Sequence, residues 1–388
     1  MNKIKIAVVC KLMPLYRLGV FQKLSSLNED LEFTFFGDTK NCSGIETIDW
    51  SYSNKIDGEG IRWIKTNNYF YKPELLLWQT GIIKNILFSK YKVFIFEGAV
   101  SHFPIWLFAL LCQIRNKKVL FWTHGFNGSD KGFKKWIRLF FFKHLCNGVL
   151  LYGKKNREIM ISYGLNPDSL FVIYNSLRTK EQFQIFEKRD QNLIKKEKEH
   201  LFKNSKNTTI IFIGRLVAHK GILEIVKVCN NLIKTGLELN CIFIGEGPEK
   251  EILFNYIQEN ELQDNIHFTG SLYNENDIAK YFVMSDLMVS PGNVGLNCIH
   301  SLTYGVPVLT HDNFTFQNPE VEAIIDGENG VFYKYNDFEN LQLKLENWIS
   351  TSRNKEVTIS KCQEVIKNSY NPVNQANCIV AAVKNIIM

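Results

Sequence analysis

The strongest constraint on the fold is a repeated alternation of short apolar runs with segments of helical spacing. Runs such as KIKIAVVC at 3–10 and KVFIFEG at 92–98 are largely apolar along their whole length. This pattern is typical of a parallel strand that is buried on both faces. Because helical segments separate several of these runs, the sequence predicts doubly wound α/β layers, in which helices cover parallel sheets.

The alternation is interrupted once and then restarts. Residues 178–207 are dense in charge and contain few large apolar side chains, which favours a solvated helix plus a linker. A length of 388 residues suits two domains. We therefore expect an N-terminal Rossmann-like domain at 1–177, a C-terminal one at 178–370, and a last helix at 371–388 that packs back on the first. The alternative is that 178–207 is a surface helix inside one domain.

Composition argues against some classes of partner and site. The formal net charge of +7 favours phosphates or an anionic membrane surface, but it is modest, and no nucleic-acid motif is present. The nine cysteines are odd in number and form no C-x-x-C pair, so we expect free thiols in a reducing cytoplasm. The longest apolar stretch, FPIWLFALLCQI at 103–114, spans about half a bilayer and predicts a buried helix.

Two cations follow the first strand of the second series. In FIGRLVAHKG, Arg215 and Lys220 lie between a strand that ends near Gly214 and a helix. A helix N-terminus offers free N–H groups and partial positive charge, so this turn predicts a diphosphate site. In GEGPEKEI, after the next strand, Gly245 and Gly247 would let the backbone approach a ligand closely. The alternative is an ordinary solvated loop.

These turns belong to a longer series of motifs. Over roughly residues 208–335 the chain contains, in order, FIGRLVAHKG, GEGPEKEIL, FTGSL, SDLMVSPG, GLNCIHSLTYGVPVL and PEVEAIIDGENGVFY. In this order they resemble the C-terminal domain of GT-B fold glycosyltransferases of the family 4 type. The resemblance implies two Rossmann-like doubly wound domains that face each other across a cleft. It also implies a C-terminal domain that binds a nucleotide-diphosphate sugar, with Arg215 and Lys220 on the diphosphate. Retention of configuration at the anomeric carbon is implied as well, without a required metal or other cofactor.

One part of the resemblance fails. The family commonly has two glutamates with seven residues between them, which contact the donor sugar and the ribose hydroxyls. Aligned on GLNCIHSLTYGVPV, these positions are Gly292 and His300. We expect His300 to hydrogen-bond the ribose, and the backbone N–H groups of Asn293, Val294 and Gly295 to cradle the donor. The alternative for His300 is a structural role in its helix.

The resemblance also implies roles for residues outside this glycine-rich turn. His124 in WTHG follows a strand and matches a family histidine that contacts the donor sugar, and the alternative is a loop histidine. Glu320 matches the glutamate of a Pro-Glu pair near the donor. Arg17 stands where the family has paired glycines, and we expect it to contact an acceptor or donor phosphate. Glu97 ends a strand, and on this position alone we expect it to contact the acceptor.

The segment KGFKKWIRLFFFKHL at 131–145 combines basic and aromatic side chains at helical spacing. Such amphipathic helices can lie on an anionic membrane surface, and the alternative is a domain helix with a solvated basic face. With the net charge, this segment suggests peripheral contact with the cytoplasmic face of a membrane. It also suggests an acceptor that is linked to a polyprenyl diphosphate.

These features predict a retaining glycosyltransferase that moves a sugar from a nucleotide-diphosphate sugar to a lipid-linked carbohydrate acceptor, in the assembly of a surface polysaccharide or glycan. We expect a UDP-sugar because such donors are frequent in the family, and a GDP-sugar fits nearly as well. Two alternatives stay open. The loss of both glutamates suits a non-catalytic nucleotide- or carbohydrate-binding protein of this fold. A nucleotide-sugar epimerase of the same fold would cleave the donor without a lipid acceptor.

Overall fold

The structure is a computed structural model that describes residues 3–27, 30–39, 46–53, 60–71, 76–126, 128 and 130–388. The chain divides into two compact units: the first domain, Met1–Arg178 with Ser369–Met388, and the second domain, Thr179–Asn368. The sequence placed the first division at 177, and the structure has it one residue later.

Strands and helices alternate along both domains. The strands are β1 (Ile4–Leu12), β2 (Leu31–Asp38), β3 (Trp63–Lys65), β4 (Asn68–Tyr71), β5 (Leu76–Gln79), β6 (Tyr91–Glu97), β7 (Lys118–Thr123), β8 (Gly148–Leu151), β9 (Leu170–Val172), β10 (Thr208–Ile213), β11 (Leu239–Ile244), β12 (Ile266–Gly270), β13 (Leu287–Ser290), β14 (Val308–His311) and β15 (Gly330–Tyr333). The helices are α1 (Leu18–Ser26), α2 (Ile82–Phe88), α3 (Phe103–Ile114), α4 (Gly132–His144), α5 (Lys154–Ser162), α6 (Thr179–Glu187), α7 (Gln191–Leu201), α8 (Ile222–Lys234), α9 (Lys250–Glu259), α10 (Glu275–Val283), α11 (Leu296–Thr303), α12 (Phe338–Ser350), α13 (Lys355–Asn368) and α14 (Pro372–Ile387).

The first domain is built on a parallel sheet with the strand order β3-β2-β1-β6-β7-β8-β9. Strands β4 and β5 form a separate antiparallel hairpin. Helix α14 returns to this domain and packs on α1, so that Ala376 and Val383 share one hydrophobic core with Phe21 and Leu24. The C-terminal helix is therefore part of the first domain's core.

The second domain is built on a parallel sheet with the order β12-β11-β10-β13-β14-β15. All six residues of β11 are buried, which explains why its sequence is apolar at nearly every position. The order reverses between β10 and β13. Both domains are thus Rossmann-like α/β layers, as the alternation of apolar runs and helices predicts.

Helices of the second domain begin at residues that the sequence supplies for this purpose. The side chain of Asn274 accepts a hydrogen bond from the backbone N–H of Asn276 at the start of α10, and Asp337 caps α12 in the same way. Helix α8 begins differently, at Gly221, whose φ is +65°. Because residues with a Cβ adopt this conformation at a cost, the glycine determines where the preceding turn becomes a helix.

The apolar stretch at 103–114 forms α3, but the prediction of a buried helix was wrong. Ile105 and Phe108 face the core, whereas Phe103 and Ile114 are 65% and 74% exposed. The sequence of α3 does not reveal which side is exposed, because a helix that is apolar on all sides has no polar residues at helical spacing to mark a solvent-facing side. Across the part of the chain that the structure describes, no helix has the length and apolarity that crossing a membrane requires.

The charged segment 178–207 is folded along most of its length. Helix α7 has no buried residue, as expected of a solvated helix, and Asp190 caps its N-terminus. Helix α6 buries Gln182 and Phe186 and packs against α10 and α11. Part of the segment in which a linker was expected is therefore a second helix that packs on the domain. The high charge of the segment obscured the few residues that make these contacts.

The cysteines agree with the expectation of free thiols. Eight of them lie in the described ranges, none of these eight forms a disulfide, and six are buried. The ninth, Cys42, lies outside the described residues. The six buried cysteines behave as small apolar side chains of the interior.

Gly245 provides a test of how tightly the second domain is packed. Its φ is +145°, and a Cβ added there would lie 1.9 Å from the carbonyl oxygen of Gly214. We expect Gly245→Ala to lower the free energy of unfolding by about 3 kcal/mol or more, because the neighbouring backbone must move. Urea denaturation measures this loss.

Gly236→Ala is the matched control. Gly236 also has a positive φ, +92°, but nothing lies within 4 Å of an added Cβ. Only the conformational cost of about 1 kcal/mol should remain. Equal losses in the two variants would contradict the steric explanation.

Candidate functional site

Three turns follow neighbouring strands at the carboxyl end of the second sheet. Turn A (214–221) leads from β10 to α8, turn B (245–249) from β11 to α9, and turn C (291–295) from β13 to α11. Because β10 lies between β11 and β13, turn A lies between the other two. The strand order reverses at this position, which is where Rossmann-like sheets bind their ligands.

Glycines bring the three turns into direct backbone contact. Cβ atoms added at Gly245 and Gly247 would lie 1.9 Å and 2.2 Å from carbonyl oxygens of turn A. One added at Gly292 would lie 2.8 Å from the Cα of Lys220, and the Gly292 N–H donates to the Lys220 carbonyl oxygen at 3.0 Å. The close approach that Gly245 and Gly247 permit is thus to turn A. Their approach to a ligand stays a prediction. At Gly292 a glutamate would not fit without a backbone shift.

The two cations of turn A are held differently. Nζ of Lys220 donates to the carbonyl oxygen and to Oδ1 of Asn293 in turn C, at 2.7 Å and 2.6 Å. Burial lowers the pKa of Lys220 below its ordinary value, and both of these partners are neutral. Arg215 is exposed, and its guanidinium makes no hydrogen bond or ion pair with another described residue. Turn A therefore combines a fixed, partly desolvated ammonium with an exposed guanidinium.

Side chains from elsewhere in the second domain hold turn C in place. Oε1 of Gln317 accepts from the N–H of Val294 at 2.8 Å, and its Nε2 donates to Oγ1 of Thr310 at 2.9 Å. Oδ1 of Asn297 accepts from the N–H of Gly295 at 2.8 Å. Two of the three N–H groups that the sequence assigned to the donor are therefore engaged within the protein. A ligand could use them only by displacing Gln317 and Asn297.

His300 lies on α11 beside a carboxylate from another helix. Its Nε2 is 2.7 Å from Oε1 of Glu275 on α10. The hydroxyl of Tyr304 donates to the same oxygen at 2.7 Å, and Nε2 of Gln182 donates to it at 3.3 Å. The ring of Phe282 packs against the imidazole with ring centroids 5.0 Å apart. The carboxylate that is absent from position 300 is thus present next to it, supplied by α10.

This cluster favours an ionised carboxylate. Burial by itself would raise the pKa of Glu275, but the hydrogen bonds from His300, Tyr304 and Gln182 outweigh it and hold that pKa below its ordinary value. Burial and the neighbouring Glu275 together raise the pKa of Tyr304. At neutral pH the cluster therefore consists of an anionic carboxylate and a protonated phenol.

The side chain of Glu320 is buried and does not face solvent. It lies in a short 3-10 helix, Pro319–Ala323, and is only 2% exposed. Burial, and to a smaller extent the Glu320 carboxylate, raise the pKa of the Cys298 thiol on α11. The structure thus places Glu320 beside α11, as a carboxylate inside the second domain.

A second polar group lies at the carboxyl end of the first sheet. Nη1 of Arg17 donates to Oε1 of Glu97 at 3.0 Å, and its Nη2 donates to the hydroxyl of Tyr152 at 2.9 Å. The backbone N–H of Lys11 donates to Oε2 of Glu97 at 3.1 Å, and the guanidinium carbon of Arg17 lies 4.8 Å from the ring centroid of Trp122. Arg17 therefore contacts residues from β6 and β7 and the residue that follows β8, and Glu97 joins this group to β1.

The structure gives Arg17 a different role from the expected one. Arg17 is 8% exposed, and its guanidinium is occupied by Glu97 and Tyr152. It is an internal support, which corrects the expectation that it contacts a phosphate. Glu97 keeps 26% of its side-chain surface exposed, and His124, after β7, is exposed with its ring 4.8 Å from that of Tyr152. In this group, Glu97 and His124 remain accessible to a ligand.

Sequence reasoning missed the residues that hold the predicted ones in place, namely Glu275, Gln317 and Tyr152. Glu275 is 25 residues from His300, and Tyr152 is 135 residues from Arg17. Two weak signals were present: a polar residue directly after a buried strand in GVLLY, and an acidic residue at the start of a helix in NENDI. Neither signal identifies a partner, because the contacts join distant segments.

Comparison with known proteins relates the second domain to one family. Residues 194–371 match the sequence family described as "Glycosyl transferases group 1". The chain is 26% identical to an uncharacterized glycosyltransferase of Methanocaldococcus jannaschii, over 68% of this chain and 67% of that protein. It is 25% identical to the alpha-monoglucosyldiacylglycerol synthase of Streptococcus pneumoniae, over 57% of this chain and 48% of that protein. The chain thus spans between 37% and 67% of the length of the first curated relatives that it matches.

A solved structure resembles the whole chain. HepE of Anabaena, determined in complex with UDP, has a TM-score of 0.72 and 14% identity, and the match covers 99% of this chain and 100% of that one. At this identity the likeness concerns the fold alone.

Glu275→Gln tests the cluster around His300. Because the folded state holds the pKa of Glu275 below its ordinary 4.5, its carboxylate stabilises the fold above that pH. The stabilisation is lost as the pH falls through the folded-state pKa. We expect Glu275→Gln to lower the free energy of unfolding by about 2 kcal/mol at pH 7, and this difference to shrink below pH 4.5. Urea denaturation at a series of pH values measures both effects.

The control is Asp277→Asn, which removes an exposed carboxylate from the same first turn of α10. It should change stability by less than about 0.5 kcal/mol. A loss in Glu275→Gln that stays constant at low pH would contradict the ionised cluster.

Proposed function

We propose that this protein transfers a sugar from a nucleotide-diphosphate sugar to an acceptor. The premises are the match of residues 194–371 to the glycosyl transferases group 1 and the fold, which is that of GT-B glycosyltransferases. The observation that carries the proposal is turn A. It presents the exposed guanidinium of Arg215 and the fixed ammonium of Lys220 beside the start of α8, at the point where the strand order reverses. This combination suits a diphosphate, because an arginine can bind phosphate oxygens in a fork and a helix N-terminus adds partial positive charge.

In the proposed reaction, the bond between the anomeric carbon and a diphosphate oxygen breaks while the acceptor hydroxyl oxygen bonds to that carbon. The acceptor oxygen attacks the face of the anomeric carbon from which the diphosphate leaves, so the configuration is retained without a protein nucleophile. The acceptor proton passes to the leaving diphosphate. Arg215 and Lys220 stabilise the negative charge as it develops on the leaving group. The arriving diphosphate also offsets the desolvation of Lys220. Because two protein cations neutralise the leaving group, the proposed reaction requires no metal.

Other predicted residues receive proposed roles that fit their surroundings. His300, oriented by Glu275, is assigned to the ribose, since its imidazole is held at 2.7 Å from a carboxylate. Asn293 fixes Lys220 from turn C. In the first domain, the accessible His124 is assigned to the donor sugar and Glu97 to the acceptor, with Arg17 holding the Glu97 carboxylate.

We propose a UDP-sugar as the donor and a lipid-linked carbohydrate, such as one on a polyprenyl diphosphate, as the acceptor. HepE was determined with UDP and with UDP-glucose, which supports the first assignment. A GDP-sugar would present the same diphosphate to turn A. Relatives named for monoglucosyldiacylglycerol synthesis and for capsular polysaccharide biosynthesis support the second. The protein would then act at the cytoplasmic face of a membrane, with peripheral contact through 131–145.

Arg215→Ala tests the diphosphate assignment. We expect it to reduce kcat by about 100-fold or more, because the developing charge loses an oriented cation. Turnover of a radiolabelled nucleotide-sugar with a lipid-linked acceptor measures this effect. The control is Lys227→Ala, which removes an exposed cation of α8 and should leave kcat unchanged. Near-normal turnover in Arg215→Ala would contradict the assignment of Arg215 to the diphosphate.

A nucleotide screen separates the proposed function from its rivals. A ligand that binds only the folded state raises Tm according to its affinity. We expect UDP to raise Tm more than GDP, dTDP or CMP, and the rise to disappear in Arg215→Ala. If no nucleotide raises Tm, the assignment of a donor site is contradicted. Epimerisation of a UDP-sugar without acceptor would favour an epimerase, and binding without any turnover would favour a non-catalytic protein.

A further inference from the structure

Helices α3 and α4 of the first domain each expose a line of large apolar side chains. Those of α3 are spaced at i, i+4, i+7 and i+11 and are Phe103, Leu107, Leu110 and Ile114. Those of α4 are spaced at i, i+3 and i+7 and are Phe133, Trp136 and Phe140. These spacings place each set on one side of its helix. The seven residues are called the α3–α4 face.

Helices α3 and α4 are in contact through a pair of aromatic rings. Trp106 of α3 stacks with Phe140 of α4, with ring centroids 6.3 Å apart and ring planes 11° from parallel. Along α4, Phe133 stacks with Trp136 at 5.8 Å, and Trp136 with Phe140 at 5.9 Å. Exposed rings that are already ordered against each other lose little further conformational entropy when a partner covers them. The α3–α4 face is therefore a preformed apolar surface.

The segment that contains α3 and α4 is rich in positive charge. Residues 103–144 contain eight lysines and arginines and one aspartate, a formal charge of +7, which equals the net charge of the whole chain. Part of it is used internally, since Arg138 pairs with Asp130 and Lys135 lies 3.3 Å from the ring centroid of Tyr163. The exposed remainder comprises Arg115, Lys118, Lys131, Lys134 and Lys143. An apolar surface with a basic surround complements anionic headgroups above acyl chains.

We propose that α3 and α4 together form a docking surface for an anionic phospholipid bilayer, with α3 supplying apolar contact and α4 the aromatic rings and part of the basic surround. This extends the membrane contact of 131–145 to a second helix. It rests on the proposed function only in that a lipid-linked acceptor would be met at this surface. Helix α3 begins six residues after Glu97, and α4 begins eight after His124. The face therefore starts near the end of the sheet that carries both residues.

The experiment is sedimentation of the full chain with vesicles, in the absence of nucleotide. One set of vesicles contains equal parts of phosphatidylglycerol and phosphatidylcholine, and the other contains phosphatidylcholine alone. We expect binding to the anionic vesicles that weakens with salt, and little binding to the neutral ones. Leu107→Ser combined with Ile114→Ser should weaken binding at least about tenfold, because apolar area is lost from α3.

The matched control is Leu193→Ser combined with Ile252→Ser. These side chains are also large, apolar and exposed, but they lie in the second domain, so vesicle binding should not change. Lys131→Gln combined with Lys134→Gln should reduce both the affinity for anionic vesicles and its dependence on salt.

Three outcomes would overturn the proposal. The first is that the α3 variant binds anionic vesicles as tightly as the unmodified protein does. The second is that the unmodified protein binds both kinds of vesicle equally. In the third, sedimentation velocity would show that the parent protein self-associates and the α3 variant does not, so that a second copy covers the face. Because no nucleotide is present, failure here leaves the nucleotide screen unaffected, and failure of that screen leaves vesicle binding unaffected.

Discussion

The candidate site depends on backbone contact between three turns at the end of one sheet. Neighbouring parallel strands lie about 4.8 Å apart, so the turns that follow them compete for the same space. Glycines at 245, 247 and 292 make this close packing possible, because each lets a neighbouring backbone approach where a Cβ would clash. Turn A is thereby held between turns B and C. The positions of Arg215 and Lys220 follow from this contact, and so does the absence of a glutamate at 292.

Charged groups in both domains are held by partners from distant segments. In the second domain a carboxylate from α10 lies beside His300, where the family commonly has a glutamate on α11 itself. In the first, a buried arginine holds Glu97 and Tyr152. Leaving a buried charge without its partner is destabilising, so the loss of one member of either pair should lower the stability of its domain. The same pairing orients Glu97 and His300, the members of these pairs that are proposed to meet ligands.

Prediction succeeded where chemistry is local and failed where it is not. Uniformly apolar runs predicted the strands, because a parallel strand covered on both faces has no wet side. Turn A was predicted because its cations, its glycine and the helix start lie within a few residues of each other. The burial of α3 was mispredicted, since a helix that is apolar all round shows no period that marks its exposed line. Arg17 was misassigned because its partners Glu97 and Tyr152 lie 80 and 135 residues away.

The sequence alone was enough to predict the two Rossmann-like layers and the turn between strand and helix that carries Arg215 and Lys220, and it shows the departure from the family at Gly292 and His300. These features depend on periodicity and spacing over short stretches of chain. The folded structure was needed to show that Gly245 and Gly247 allow turns A and B to touch, that Arg17 pairs with Glu97 and Tyr152, that Glu275 accompanies His300, and that α3 and α4 both expose apolar side chains. A side chain can be a ligand or a support, and an apolar residue can be core or surface. Which of these it is depends on the distant segments that pack against it.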